Sequence, residues 1–111
     1  MVLFPKLSAM SGMLQQAKQV QEKIEELQSE LAALRIEGRA GGGLVTAMVN
    51  GQQELLTIRL DESLQREDLE LLEDLIVAAV GQALKKSREE SQTKMNSLTG
   101  GMLGGLNLPG I

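Results

Sequence analysis

Three consecutive glycines interrupt the chain near its middle, in the segment EGRAGGGLV at residues 37–45. Glycine-rich loops can bind phosphate through backbone N–H groups, so this segment is a candidate nucleotide site. Such loops follow GxxxxGK[ST] between a strand and a helix, or GxGxxG at the start of a helix. Neither spacing is present, and the next residues alternate like a strand, which leaves no helix N-terminus to hold the anion. The cluster is therefore interpreted as a bend.

The acidic stretch RLDESLQREDLELLED, at residues 59–74, is the second candidate for chemistry. Carboxylates can bind metals or transfer protons, but the chain has no His and no Cys, and no converging set of ligands is visible. The acids instead fall at the predicted start of a helix, where negative charge complements the helix dipole. Asp61 is interpreted as a turn or capping residue. No catalytic residue, metal or cofactor is predicted, and the chain is not expected to be an enzyme.

Basic side chains are the third candidate, as contacts for phosphate. The seven candidates are Lys6, Lys18, Lys23, Lys85, Lys86, Arg88 and Lys94. The last four follow the point where the second predicted helix loses its apolar face. If the two helices run antiparallel, all seven would gather at one end of the molecule, with an acidic cluster at the other. With a formal net charge of −4, the pattern is equally compatible with ordinary solvated helix faces.

A heptad spacing of apolar residues precedes the glycines. Its members are Met10, Met13, Ala17, Val20, Ile24, Leu27, Leu31 and Leu34. This seam predicts a helix over about residues 8–34. Because such a helix is roughly 40 Å long, a core of this size cannot cover it. It is expected to pack against another long helix.

The apolar period then changes to two. The alternation predicts strands at about residues 35–40, 44–50 and 53–60, with the glycines forming the first turn. Asn50-Gly51 predicts a tight hairpin, because both residues tolerate positive φ. Together these features predict a three-stranded antiparallel meander.

A second helix is predicted over about residues 66–96. Its segment LIVAAV, at residues 75–80, is apolar all round, and a second subunit is expected to cover it. Residues 1–97 are thus predicted to form one α+β domain, and the glycine-rich residues 98–111 a flexible tail.

Composition narrows the function further. Phe4 is the only aromatic residue, so base stacking on aromatic rings is not expected. No apolar run is long enough for a transmembrane helix, and the N-terminus lacks the features of a signal peptide. A soluble, cytoplasmic protein is expected, without a membrane or a small-molecule substrate as partner.

Four segments resemble the YbaB/EbfC family of bacterial nucleoid-associated proteins: MLQQAKQVQEKIEELQSELAAL, EGRAGGGLVTAMVNG, IRLDESL and LEDLIVAAVGQAL. They span about residues 12–94 in the family's order. The resemblance implies a tweezer-shaped homodimer with projecting helical arms. It also implies binding of duplex DNA through backbone phosphates with little sequence preference, and an effect on nucleoid organisation and gene expression. The first helix departs from the family in carrying few basic residues, only Lys18 and Lys23.

Two functions are compatible with these features. The first is a nucleoid-associated homodimer that contacts duplex DNA through the seven basic residues above. The second is a dimeric adaptor that binds a protein partner through its helical arms or its apolar tail. The acidic net charge and the tail segment MLGGLNLPGI favour the second.

Overall fold

The computed structural model describes residues 3–103, and the side chains of residues 10–100. Helix α1 (Leu3–Ala33) is followed by strands β1 (Ile36–Ala40), β2 (Val45–Val49) and β3 (Leu55–Leu60), and then by helix α2 (Leu69–Leu103). The strands form one antiparallel sheet in the order β1-β2-β3. The predicted α+β meander is confirmed. The described chain measures 82 × 29 × 17 Å, because the two helices extend well beyond the sheet.

The core lies between one face of the sheet and the first half of α2. Val45, Ala47 and Val49 alternate along β2 and are fully buried, as their period of two requires. Ala79 and Ala83 of α2 are buried against them. Helix α2 packs on β1 and β2, and it leaves β3 largely uncovered.

Gly38 permits the close approach of α2 to β1. A Cβ atom there would collide with the Ala79 carbonyl oxygen and the Ala83 amide, and would lie 2.8 Å from the Ala83 Cβ. Small residues on both sides therefore set the distance between the helix and the sheet.

The glycine cluster forms the turn between β1 and β2, so the interpretation as a bend is confirmed. Gly41–Gly43 make a short 3-10 turn in which all three glycines have positive φ, between 63° and 99°. Side chains at those positions would be strained, since positive φ brings Cβ close to the backbone.

The turn between β2 and β3 differs from the predicted two-residue hairpin. The Asn50 amide donates a hydrogen bond to the Glu54 carbonyl, and the one non-glycine residue with positive φ in the described chain is Gln53, at 62°. The position of the turn is as expected, but the conformation inferred for Asn50-Gly51 is wrong. Gly51 is needed for another reason, because an added Cβ would lie 2.8 Å from the Leu31 carbonyl oxygen.

Helix α1 packs through only part of its heptad seam. Leu27 and Leu31 are buried near its C-terminal end, whereas Met10, Met13 and Ile24 are exposed. The second half of α2 runs antiparallel to this end of α1, since residues 23–30 and 94–98 line one groove. Helix α1 and this half of α2 form the helical arm. Within one chain, the heptad seam of α1 therefore packs against another helix over only about two turns.

Helix α2 begins at Leu69, three residues later than predicted, because Glu62–Arg66 first form a 3-10 turn. Asp68 caps the helix by accepting a hydrogen bond of 2.7 Å from the Leu71 amide. At its other end α2 continues to Leu103, past the predicted end at 96. Once propagated, a helix can continue through glycines such as Gly100 despite their low propensity. The rest of the predicted tail, residues 104–111, lies outside the described residues.

The apolar segment LIVAAV is covered on one side by the sheet. Ala79 is buried, while Val77 is 72% exposed and Ala78 is also exposed. Among residues 3–103 no helix has an apolar stretch long enough to cross a membrane.

Candidate nucleic-acid interface

The first group of candidate basic residues lies where α2 leaves the sheet. Lys85, Lys86 and Arg88 are all exposed there. The Lys86 Nζ donates a hydrogen bond of 3.0 Å to the Glu37 carbonyl at the edge of β1. Neither Lys85 nor Arg88 forms an ion pair within residues 10–100. These two cations are therefore presented to solvent.

The second group lies in the arm. Lys23 of α1 and Lys94 of α2 line a groove of 330 Å³ together with Glu26 and Glu30. The Lys94 Nζ lies 3.9 Å from a carboxylate oxygen of Glu30. Glu30 is exposed and Lys94 is half-buried, so this long, partly solvated pair contributes little stability, but it offsets part of the positive charge.

The seven candidates are thus not gathered at one point. Lys86 and Lys94 are eight residues apart on α2, about 12 Å along the helix axis. Lys18 is exposed on α1, further along the arm than Lys23. The side chain of Lys6 lies outside the described residues. The members of each group named above lie close to one another, but the two groups lie apart.

One face of α1 is acidic. Glu22, Glu25, Glu26 and Glu30 line a shallow groove of 520 Å³ with Ser29. Their spacing of three and four residues places them on the same side of the helix. Such a face repels a phosphate backbone, so it restricts the side of the arm that could face DNA.

The acidic stretch after β3 has a structural role. The Asp61 carboxylate accepts a hydrogen bond of 2.9 Å from the Ser63 amide and caps the 3-10 turn, as predicted. That bond, and a smaller contribution from the Ser63 side chain, lower the pKa of Asp61 below its ordinary value of 3.8. Within the described residues no group of three or more acidic side chains is arranged to hold a metal ion.

Comparison with known proteins assigns this arrangement to a family. The family model described as "YbaB/EbfC DNA-binding family" matches residues 7–102, which is most of the chain and includes both helices and the sheet. The chain belongs to the YbaB/EbfC DNA-binding family. This is a family of nucleoid-associated proteins and not of enzymes, in agreement with the expectation from the sequence.

Individual relatives resemble the chain over most of its length. A nucleoid-associated protein of Agrobacterium fabrum is 51% identical over 92 residues, covering 82% of this chain and 86% of the relative. A nucleoid-associated protein of Caldanaerobacter subterraneus is 41% identical over 109 residues, covering 97% and 95%. The crystal structure of an uncharacterized protein from Helicobacter pylori has the same fold, with a TM-score of 0.61 and 24% identity over 86% of this chain and 95% of that one.

Four basic residues lie outside the seven that the sequence singled out, and two of them share one face of the sheet. Arg39 of β1 and Arg59 of β3 are exposed on the sheet face that points away from α2. Arg39 pairs with Glu37 at 3.0 Å. The alternation of Arg35, Glu37 and Arg39 in the sequence is the signal that could have revealed a charged strand face. The strand register, which the sequence does not give, places Arg59 level with Arg39 across the sheet.

Proposed function

We propose that the chain binds duplex DNA as a homodimer, mainly through backbone phosphates and with little sequence preference. The observation that carries this proposal is the match to a DNA-binding family across residues 7–102. The absence of base-stacking aromatic rings favours phosphate contacts over contacts to unpaired bases, because Phe4 is the only aromatic residue. Binding to chromosomal DNA would place the protein at the nucleoid, where it would affect organisation and gene expression.

The proposed contacts are the seven basic residues, with unequal weight. Lys85 and Arg88 have no ion-pair partner within residues 10–100 and do not lie on α1 with its acidic face, so they would contribute most. Lys86 and Lys94 have partners in Glu37 and Glu30, so each would exchange one interaction for another. Lys6, Lys18 and Lys23 would extend the contact along the arm. Lys and Arg contacts of this kind supply affinity without sequence information.

Uncovered apolar surface supports the proposed homodimer. Ile58 and Leu60 pair with the buried Ala47 and Val45, and therefore lie on the core side of the sheet, yet both are exposed. Val77 of α2 is 72% exposed. Large exposed apolar patches are typical of interaction sites in soluble proteins. A second copy related by two-fold symmetry would cover it and would present the basic residues twice.

DNA binding is tested by titrating a fluorescein-labelled 30-base-pair duplex with the full chain at several salt concentrations. We expect log K to fall linearly with log salt concentration, with a slope of about −0.9 for each phosphate contacted. Lys85→Gln/Arg88→Gln should make the slope less negative by about 2 per chain, because each chain then neutralises two fewer phosphates. Arg66→Gln removes one positive charge from the turn before α2 and serves as the control. No salt-dependent binding by the wild-type protein would refute the proposed function.

The homodimer is tested by sedimentation equilibrium at micromolar concentration. Val77→Asp should dissociate the dimer, because it would bury a carboxylate in an apolar interface. Gln92→Asp makes the same side chain at an exposed position later in α2 and should leave the dimer intact. A wild-type chain that sediments as a stable folded monomer would overturn this part of the proposal.

The adaptor remains a second candidate because of the exposed apolar residues early in α1. Met10, Met13 and Leu14 are between 57% and 69% exposed, and such a stripe can bind an apolar helix of another protein. Affinity capture with and without nuclease, using the full chain and a chain lacking residues 98–111, separates the two functions. A protein partner that persists after nuclease treatment and is lost with the tail would favour the adaptor.

A further inference from the structure

Three polar residues form a row across the sheet on the side opposite α2. Arg39 of β1 pairs with Thr46 of β2, and Thr46 pairs with Arg59 of β3. Residues paired across antiparallel strands point to the same face. Val45 and Ala47, the neighbours of Thr46, are buried on the α2 side, so Thr46 and both arginines face the other way.

The row is positively charged and accessible. The side chain of Arg39 is 66% exposed, and Arg59 is also exposed. The backbones of the two arginines are separated by two strand spacings, or about 10 Å. Within the three strands, Glu37 is the one acidic residue on this face, and its carboxylate binds Arg39 at 3.0 Å. Arg59 forms no ion pair within residues 10–100.

We propose that Arg39, Thr46 and Arg59 form a phosphate-binding site for the backbone of duplex DNA. Guanidinium groups match phosphate oxygens geometrically and remain charged at any physiological pH, and the hydroxyl of Thr46 between them supplies a neutral donor. The row lies on a sheet, which holds the three side chains in fixed order. Glu37 competes with phosphate for Arg39 and orients this arginine when DNA is absent.

This site rests on the proposed DNA binding and adds a contact surface that is separate from the helical arm. The acidic face of α1 disfavours phosphate along part of the arm, whereas the sheet face carries two arginines against one glutamate. Lys86 reaches the outer edge of β1 at Glu37, so its positive charge adds to that of the row. DNA crossing the sheet would therefore meet positive charge from β3 to the start of the arm.

The test uses the full chain and the labelled 30-base-pair duplex at about 50 and 200 mM NaCl. Arg39→Gln/Arg59→Gln should make the salt slope less negative by about 2 per chain, so for each chain that contacts the duplex the roughly fourfold rise in salt should weaken wild-type binding about tenfold more than binding of the variant. Arg39→Lys/Arg59→Lys keeps both charges and should retain most of the slope. Arg66→Gln measures how much the salt slope changes when one positive charge outside the row is lost.

A second pair of variants tests the competition by Glu37. Glu37→Gln should tighten binding, because it releases Arg39 and removes a negative charge beside the row. Glu67→Gln removes an equal charge after the 3-10 turn and should have a smaller effect. Circular dichroism verifies that each variant is folded, and the Thr46 amide should shift in an NMR titration of the wild-type protein with the duplex.

The outcomes separate this site from the proposed function. If the wild-type protein binds DNA but the double Gln variant changes the slope no more per charge than Arg66→Gln, the row is not a phosphate site and DNA binding by the other residues stands. An unshifted Thr46 amide at saturating DNA would also overturn the site. If the wild-type protein does not bind the duplex, the proposed function itself fails.

Discussion

The hydroxyl of Ser87 donates a hydrogen bond of 2.7 Å to the backbone carbonyl of Asn50, and both residues are buried. Ser87 belongs to α2 and Asn50 to the turn between β2 and β3. In the same turn the Gly51 amide donates to the Leu31 carbonyl at 2.7 Å, near the end of α1. This turn therefore joins both helices at the point where the arm leaves the sheet.

Ser87→Ala should lower the free energy of unfolding by about 1 kcal/mol, because one buried hydrogen bond is removed while the Asn50 carbonyl keeps its bond from the Gln53 amide. Ser91→Ala makes the same change one turn further along α2, where the residue is only half-buried, and should cost less than about 0.5 kcal/mol. Urea unfolding followed by circular dichroism at one fixed protein concentration measures both. Equal losses for the two variants would contradict a special role for Ser87.

Gly38→Ala should destabilise the fold more strongly, by about 3 kcal/mol, because the added methyl group overlaps the backbone of α2 at Ala79 and Ala83. The backbone of a packed helix cannot move aside as a flexible side chain can. Thermal unfolding at fixed protein concentration measures the loss.

Gly81→Ala is the matched control for that substitution. Gly81 lies on α2, and an added Cβ there meets no atom within 4 Å. The change should raise stability by about 0.5–1 kcal/mol, since alanine favours the helix more than glycine does. If both substitutions destabilised the fold equally, the close approach at Gly38 would not be the cause.

The sequence predicts the order and type of the elements because each has its own period: a heptad seam for α1, alternation for the strands, and a wide apolar stripe for α2. The conformation of the turn after β2 could not be predicted from such a period in the sequence. Asn50-Gly51 is a local hairpin signal, whereas the observed turn combines local hydrogen bonds to the Asn50 side chain with tertiary contacts to Leu31 and Ser87. The start of α2 is similarly displaced by the 3-10 turn that Asp61 caps.

The candidate interface is only partly readable from sequence. Composition identifies the lysines, but it does not reveal that Lys86 binds the Glu37 carbonyl or that Lys94 lies beside Glu30. Arg39 and Arg59 are far apart in the chain, and strand register alone brings them to the same row. Local spacing in the sequence can reveal residues that share a helix face, but it does not reveal residues that meet across strands.

The Asp61 cap should make stability depend on pH in acid. Its folded-state pKa lies below 3.8, so the unfolded chain binds the proton more readily. The contribution is therefore fully present above the unfolded pKa and is lost as the pH falls through the folded pKa. Asp61→Asn keeps an acceptor oxygen but cannot ionise, so the gap in urea midpoint between wild type and variant should be constant above about pH 5 and should narrow below the unfolded pKa. A gap that does not change between about pH 6 and pH 3 would contradict this account.

The outer edge of β1 should be protected at Arg39 by one side chain of α2. Strand β1 is at the edge of the sheet, and its Arg39 amide donates a hydrogen bond of 2.6 Å to the Gln82 side-chain oxygen. Unpaired edge amides invite pairing with other chains, so this contact also blocks a route to aggregation. Gln82→Ala should accelerate hydrogen exchange of the Arg39 amide about fivefold, which corresponds to a bond worth about 1 kcal/mol. Gln82→Glu retains an acceptor and should preserve protection. An unchanged exchange rate in Gln82→Ala, measured by NMR on ¹⁵N-labelled protein, would mean that some other group covers this edge in solution.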